Sequence, residues 1–380
     1  MAGALDGITV LEMALQYPGP YCSTLLAGLG AEVIKVEMPG TGDAARRRPA
    51  FFDAINRSKS SIALDLKRAG GKEILYRLIQ RCDVVTEGFR PGVAARLGIG
   101  YATLSAMNPR LIYCSITGFG QKGPYSDLPG HDLNYMALAG MLQSFQDPQG
   151  DPIMPGVAIA DLSAGMFAAI GILAALTARS TSGRGQHVDV CMLDGLLSWM
   201  GTNLSMYADT GQIRKTRDAG YGLFTTADGK LLALGIAHEN WFWDRLCKAA
   251  GLEELAGIPA AERNLRRPEL IKPLQDVLRR KTRAEWLQLL KDADVPATPV
   301  QDLSDVMEDP HVKMRDMAEV VTGPQGRRSV RVGFPVKFSP GEPPRPKSAV
   351  PALGEQTEEI LKTLGYREED IAHFRNEGVI

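Results

Sequence analysis

Gly7-Ile8-Thr9-Val10-Leu11-Glu12, then Pro18-Gly19-Pro20, a helical stretch from Tyr21 to Leu29, Gly30, and Ala31-Glu32-Val33-Ile34-Lys35-Val36 open the chain. A short apolar run closed by turn residues reads as a buried strand, and two such runs joined by an amphipathic helix form a parallel unit with a crossover. The pattern repeats. Ser61-Ile62-Ala63-Leu64-Asp65 predicts a third strand, Gly71 to Gln80 a helix, Asp83-Val84-Val85-Thr86-Glu87 a fourth strand and Leu111 to Ile116 a fifth. Strands alternating with helices predict an α/β fold with a mostly parallel sheet, in which ligands bind beyond the carboxyl ends of the strands. The glycine-rich strand-to-helix junctions, Pro18-Gly19-Pro20 and Gly88-Phe89-Arg90-Pro91-Gly92, lack the GxGxxG fingerprint. That disfavours a nicotinamide or flavin dinucleotide site.

With 380 residues the chain is too long for one ordinary core. The texture changes after about residue 210. Thr225 to Lys230 reads as a hairpin turn leading into Leu231-Leu232-Ala233-Leu234, and charged helices follow at Trp241–Ala249, Pro268–Arg279 and Arg283–Ala293. The expected organisation is a large α/β domain from 1–210, a smaller α+β domain at 225–325 carried as an insertion, and a return segment at 330–380. A Pro-rich connector at 341–351 and a helix from Glu355 to Leu364 belong to the return.

The 43 basic and 44 acidic residues give a formal charge of −1, so no global field favours nucleic acid or an anionic membrane. Cys22, Cys82, Cys114, Cys191 and Cys247 are widely spaced without a CxxC or Cys/His pattern, which reads as reduced thiols and no metal. No secretion-type start or apolar run of about 18 residues is evident, so a cytoplasmic location is expected.

Three features carry chemistry. Asp161 precedes the apolar stretch Leu162 to Arg179, whose face of small residues runs Ala164, Gly165, Ala168, Ala169, Gly171. One reading is an N-cap worth about 1 kcal/mol and nothing more. The other is a functional carboxylate whose charge the helix N-terminus stabilises, with a depressed pKa. His131 stands between Gly130 and the helix expected at Asp132 to Leu142. It is a capping histidine or, since a helix N-terminus disfavours imidazolium, a neutral proton acceptor. Arg46-Arg47-Arg48, Lys59, Lys67, Arg90 and Arg96 fall after strands and form either a solvated face or an anion cluster. Met136, Met141, Phe145 and Met154 are pocket candidates, although methionine at helical spacing is more often core.

Taken in order, these blocks resemble the family III CoA-transferases, which include the α-methylacyl-CoA racemases. The resemblance runs through residues 10–43, NRSKSSIALDLK at 56–67, DVVTEGFRPGVAARLG at 83–98 and NPRLIYCSITGFGQKGPY at 108–125. PGHDLNYMALAGML at 129–142, ADLSAGMFAAIGILAAL at 160–176, GRGQHVDVCMLDG at 183–195 and ALGEQTEEILKTLGY at 352–366 complete it. It implies a Rossmann-like large domain with a small domain, two chains interlocked as an obligate homodimer, and coenzyme A as the carrier of an acyl substrate. It also implies that Ala63, Leu66 and Lys67 lie near the adenine and Arg90 and Arg96 near the phosphates.

The same resemblance makes Asp161 catalytic in either of two ways. In transferases the aspartate attacks the thioester, and an anhydride and an aspartyl-CoA thioester carry the group to a carboxylic acid acceptor. In racemases an aspartate and a histidine face opposite sides of the α-carbon and exchange its proton. Gly130-His131-Asp132-Leu133-Asn134-Tyr135 matches the racemase motif, with Asp161 at the racemase spacing. The glutamate that assists the histidine falls on Glu239, with His238 one place away as the alternative. The active-site glutamine of formyl-CoA transferases falls on Tyr17, and their glycine-rich loop has no counterpart near 215–230. The expected function is therefore racemisation or epimerisation of a 2-methylacyl-CoA. CoA transfer between acids and a non-catalytic CoA-ester-binding subunit are the alternatives.

Overall fold

A computed structural model describes residues 3–147, 149–212, 218–322, 326–339 and 349–380. The Pro-rich connector therefore falls mostly outside the described residues, as do 215–217 of the stretch without a glycine-rich loop. The chain divides into a larger unit, Met1–Thr202 with Lys313–Ile380, and a smaller one, Asn203–Val312.

The larger unit is built on six parallel strands: β1 (Thr9–Glu12), β2 (Glu32–Glu37), β3 (Lys59–Ala63), β4 (Val84–Glu87), β5 (Ile112–Thr117) and β6 (His187–Cys191). Their order across the sheet is β3-β2-β1-β4-β5-β6, all pairs parallel. The order reverses between β1 and β4, which makes the gap above their carboxyl ends the topological switch point. Helices α1 (Pro18–Gly28), α2 (Pro49–Asn56), α3 (Ala69–Ile79), α4 (Val93–Leu97), α5 (Tyr101–Met107), α6 (Asp132–Leu138), α7 (Ile159–Ser182) and α8 (Met192–Trp199) make the connections.

Alternate strand residues serve opposite cores, which is why the strands read as unbroken apolar runs. Val10, Val33, Val84 and Ile112 pack toward Leu26 of α1 and the small-residue face of α7. Leu11, Ile34, Val85 and Tyr113 pack toward Ile74 and Leu78 of α3 and toward Ile360 and Leu364 of the return segment. Gly165 shows how close α1 and α7 lie. A Cβ there would stand 2.8 Å from the Pro18 carbonyl oxygen and from the Tyr21 ring. By length and composition alone α7 could cross a bilayer, yet here its Ala164, Ala168 and Ile172 are fully buried, as in a core helix.

Two expectations shift for identifiable reasons. Helix α1 begins at Pro18 rather than Tyr21, because proline is tolerated in a first turn where its missing N–H has no intrahelical role. Strand β3 begins at Lys59 rather than Ser61 because Lys59 is a buried member of a charge network.

In the smaller unit, β7 (Tyr221–Thr225), β8 (Leu231–Gly235) and β9 (Ala297–Pro299) form an antiparallel sheet. It packs with α10 (Asn240–Ala250), α12 (Arg267–Leu278) and α13 (Arg283–Asp292) around Phe224, Trp243, Leu274 and Trp286, with α9 (Gly201–Thr210) before and α11 (Ala260–Leu265) between. The unit's bounds differ from the expected 225–325. The hairpin of β10 (Ala318–Thr322) and β11 (Arg328–Val332) docks on α2, where Arg57 donates to Ser329 at 2.6 Å and Arg327 pairs with Asp53 at 2.5 Å.

Candidate active site

The switch point holds a cleft of about 840 Å³. Its walls come from the loop after β1 and the first turn of α1 (Met13–Gly19), the loop after β4 (Gly88–Pro91) and the end of β5 with the residues after it (Ile116–Phe119). His131 and Asp161 line it together, with Tyr17, Tyr135, Arg48 and Arg90.

Each residue of Gly130-His131-Asp132-Leu133-Asn134-Tyr135 has a structural task except Leu133, which is exposed. The Tyr135 ring is buried against Gly118 and Gly130, where an added Cβ would stand 2.4 and 2.8 Å from it, so both glycines are required for space. His131 is the N-cap of α6 in extended backbone, and its N–H donates to the Asn134 side-chain oxygen at 3.0 Å. That fixes the histidine's backbone at the mouth of the cleft, where its side chain is exposed.

Asp132 does what was expected of Asp161. Helix α7 begins at Ile159 with Ala158 at the N-cap, so Asp161 is the third helical residue and not the cap. The cap comes from α6. The Asp132 carboxylate accepts the backbone N–H of Ala160 at 2.6 Å and of Asp161 at 3.2 Å. An N-cap side chain takes the same two donors. Asp161 is thereby freed from capping, and among the described residues its own carboxylate accepts no hydrogen bond.

The expected depression of its pKa is also corrected. Burial, and then the charge of Asp132, push the Asp161 carboxyl up to about 7. The helix dipole opposes this, but Asp132 already occupies the N–H groups through which the dipole acts, and its negative charge is adjacent. Burial, and then the Asp161 charge, raise the phenols of Tyr17 and Tyr135, which line the same cleft. These phenols stay protonated and can donate.

The expected anion cluster is divided. Lys59 is buried, with its ammonium 2.8 Å from Glu12 and donating to the Pro20 carbonyl and the Asn56 side chain. Arg46 is held by Glu37, at 2.6 and 2.8 Å. Arg48 and Arg90 remain in the cleft. Ala63, Leu66, Lys67 and Arg96 do not line it. Ala63 ends β3, where its N–H donates to Thr357, and Leu66 is core. Lys67 and Arg96 are exposed. Met136 and Met141 are core and Met154 is exposed, so none of them lines the cleft, nor does Phe145.

Glu239 lies in the smaller unit as the N-cap of α10. Backbone N–H groups, its own first and then that of Ala237, hold its carboxyl below the ordinary range. All five cysteines are free thiols. Among the described residues no three His, Cys, Asp or Glu side chains group as metal ligands would.

Sequence reasoning missed Asp132, the task of Tyr135, and Phe51, which lines the cleft with the Arg48 guanidinium 4.3 Å from its ring centroid. The signal for Asp132 was present in the motif itself, as an acidic residue next to the histidine. Its partner lies 29 residues further on, outside any local window.

Residues 5–357 match the family described as CoA-transferase family III. The alpha-methylacyl-CoA racemase of Homo sapiens is 36% identical over 387 residues, covering 99% of this chain and 97% of that one. The acetyl-CoA:oxalate CoA-transferase of Acetobacter aceti is 34% identical over 378 residues, covering 95% of each. A solved CAIB/BAIF family protein from Brucella suis superposes with a TM-score of 0.85 at 32% identity, covering 96% of this chain and 100% of that one. The chain therefore belongs to CoA-transferase family III, enzymes whose substrates are CoA thioesters.

Proposed function

We propose that the enzyme racemises or epimerises a 2-methylacyl-CoA by passing the α-proton between His131 and Asp161. The observation that carries this reading is the placing of His131 and Asp161 in one cleft, with Asp132 relieving Asp161 of capping; burial, and then the Asp132 charge, push the Asp161 carboxyl up to about 7 in keeping with it. A general acid–base group works best with a pKa near the working pH, whereas a carboxylate nucleophile gains from staying ionised. Asp161 takes the α-proton when ionised and returns one when protonated, and His131 does the reverse. The tyrosines beside Asp161 supply O–H donors to the enolate oxygen that forms between the two transfers. Glu239 is assigned to the histidine by the racemase resemblance, with a carboxyl kept ionised by backbone donors.

Coenzyme A would run along the carboxyl edge of the sheet. From β4 to β3 that edge spans three strand spacings, about 14 Å, which joins the cleft at Arg90 to Ala63. Arg96, Leu66 and Lys67 complete this track. The interlocked homodimer is supported by apolar side chains left exposed on α7 and α8, among them Met166, Ile170 and Trp199. Light scattering that shows a monomer would remove it.

CoA transfer is the second reading, favoured by transferase relatives of comparable identity, the Acetobacter enzyme among them. It requires ping-pong kinetics and an Asp161 adduct trapped by hydroxylamine. The proton-transfer reading is tested by incubating a 2-methylacyl-CoA in D₂O without any acceptor acid. It requires deuterium at the α-carbon, lost in His131→Ala and Asp161→Asn, and an unlabelled substrate defeats it.

A further inference from the structure

We propose that Glu87 and Ser115 are positioning residues for the cleft loop that carries Phe89 and Arg90, and that His187, at the edge of the sheet, holds them in one arrangement of protons. The inference rests on the reading of the cleft as the coenzyme A site.

Three strands end on buried glutamates. Glu12 closes β1 and Glu37 closes β2, and each faces a lysine or arginine at 2.5 to 2.8 Å. Glu87 closes β4, is 3% exposed, and has no cation within ion-pair distance among the described residues. Its partners are neutral donors. The Phe89 N–H donates to it at 2.7 Å, and the Ser115 hydroxyl donates to it from β5, where the two residues are in register. A buried carboxylate without a counter-charge destabilises the fold, so it depends on each donor it has. Burial pushes the Glu87 carboxyl up, the two hydrogen bonds oppose the rise, and the charge of Asp189 on β6 adds to it.

The contact with Phe89 fixes the loop. It spans two residues at the very end of β4, so it sets the direction in which the chain leaves the sheet. Gly88, Phe89, Arg90 and Pro91, which follow at once, all line the cleft.

The other end of the hydrogen-bonded chain fixes Ser115. This serine is 1% exposed, and its Oγ lies 2.9 Å from His187 Nε2. The His187 ring is clamped by Tyr101, stacked at 5.1 Å and 19°, and by Tyr113, edge-on at 5.6 Å and 70°. Tyr113 is itself held by its O–H, which donates to the Ile99 carbonyl at 3.1 Å. Burial pushes the His187 pKa down, against the charge of Asp189, so the ring is neutral at pH 7 with one proton to place.

A hydroxyl also has one proton. Given to Glu87, it leaves Ser115 only an acceptor for His187, so Nε2 must carry the ring proton. The order is His187 Nε2–H to Ser115, then Ser115 O–H to Glu87, with the Phe89 N–H arriving from the loop. A bare Nε2 would compete for the serine proton and leave Glu87 with a single donor. An exposed histidine on β6 therefore governs a loop two strands away.

Two measurements test this. With histidine nitrogens labelled, nitrogen–proton NMR above pH 7 reads the tautomer of His187, assigned among the five histidines by His187→Gln. The inference requires Nε2–H in the wild type and a mixture of tautomers in Ser115→Ala. Free CoA is then titrated by calorimetry. Ser115→Ala should weaken its binding about 3- to 10-fold, the scale of one hydrogen bond. Ser115→Thr, which keeps the hydroxyl, should restore it. His187→Phe, which keeps a ring between the tyrosines but has no N–H, should fall between the two. Two results overturn the proposal. One is a bare Nε2 in the wild type, which needs no variant to fold. The other is unchanged CoA affinity in Ser115→Ala, which makes these bonds a matter of stability alone. Failure of the cleft reading is distinct, because it shows as no CoA binding by the wild type.

Discussion

Asp132 caps the helix that carries Asp161, accepting the N–H groups of Ala160 and Asp161 itself at 2.6 and 3.2 Å, and by the same approach adds to the rise that burial gives the Asp161 pKa. One carboxylate thus orients and tunes another. Asp132→Asn should keep an oxygen acceptor for the cap and remove the charge. The limb of the pH profile of kcat/KM that reports Asp161 should then move below 7, with stability reduced by about 1 kcal/mol or less. Asp132→Ala should lose the cap as well, costing about 1–2 kcal/mol. A limb that stays in place in Asp132→Asn counts against the coupling.

The same shift has a stability consequence of definite sign. The folded-state pKa of Asp161 is about 7 against an ordinary value of 3.8, so ionising it penalises the folded state. The penalty is absent below about pH 4, grows between pH 4 and 7 and is complete above pH 7. Asp161→Asn should therefore match the wild type near pH 4 and exceed it at pH 8 by about 1–4 kcal/mol. Denaturant titrations at the two pH values check this, and an equal difference at both contradicts it.

Beneath the cleft loop, Glu12 is buried between Lys35 at 2.5 Å and Lys59 at 2.8 Å, and Lys35 also reaches Asp43 at 3.0 Å. Burial opposes the Glu12 charge, yet the two lysines hold its carboxyl at about 2. Asp43 also accepts the N–H of Gln16, whose φ of 66° is left-handed, and so ties the network to the loop that carries Tyr17. Lys35→Met leaves buried carboxylates short of a partner and should cost about 3–5 kcal/mol. A cost below about 1 kcal/mol by denaturant titration would show that the network is wet or dispensable.

Close packing of α1 on α7 should make Gly165→Ala harmful out of proportion to its size. The new Cβ would meet the Pro18 carbonyl and the Tyr21 ring at 2.8 Å, so α1 must shift. We expect a loss of about 1–3 kcal/mol and a fall in kcat/KM, since α1 starts beside Tyr17. Full activity with reduced stability would separate the packing from the site.

The sheet was legible because each strand alternates residues between two buried faces, as Val10 and Leu11 or Val84 and Val85 do. Lys59 misled the reading of β3, since a lysine looks like a turn residue until the Glu12 carboxylate beneath it is known. Asp161 was found by motif but misjudged locally. Its cap comes from Asp132 and its pKa from burial and then the Asp132 charge, and only the packing of α6 on α7 brings these about. Arg46, Arg47 and Arg48 are alike in sequence, and their different tasks depend on Glu37 and Phe51, which no local pattern reveals.

The central claim is that Asp161 moves a proton and is not acylated. One epimer of a 2-methylacyl-CoA is incubated in D₂O with no acceptor acid, and label and configuration at the α-carbon are followed by NMR. The account predicts deuterium in both epimers at a rate that an added carboxylic acid does not change, with none in Asp161→Asn. An unlabelled thioester, together with acid-dependent turnover and a hydroxylamine-trapped Asp161 adduct, would contradict it.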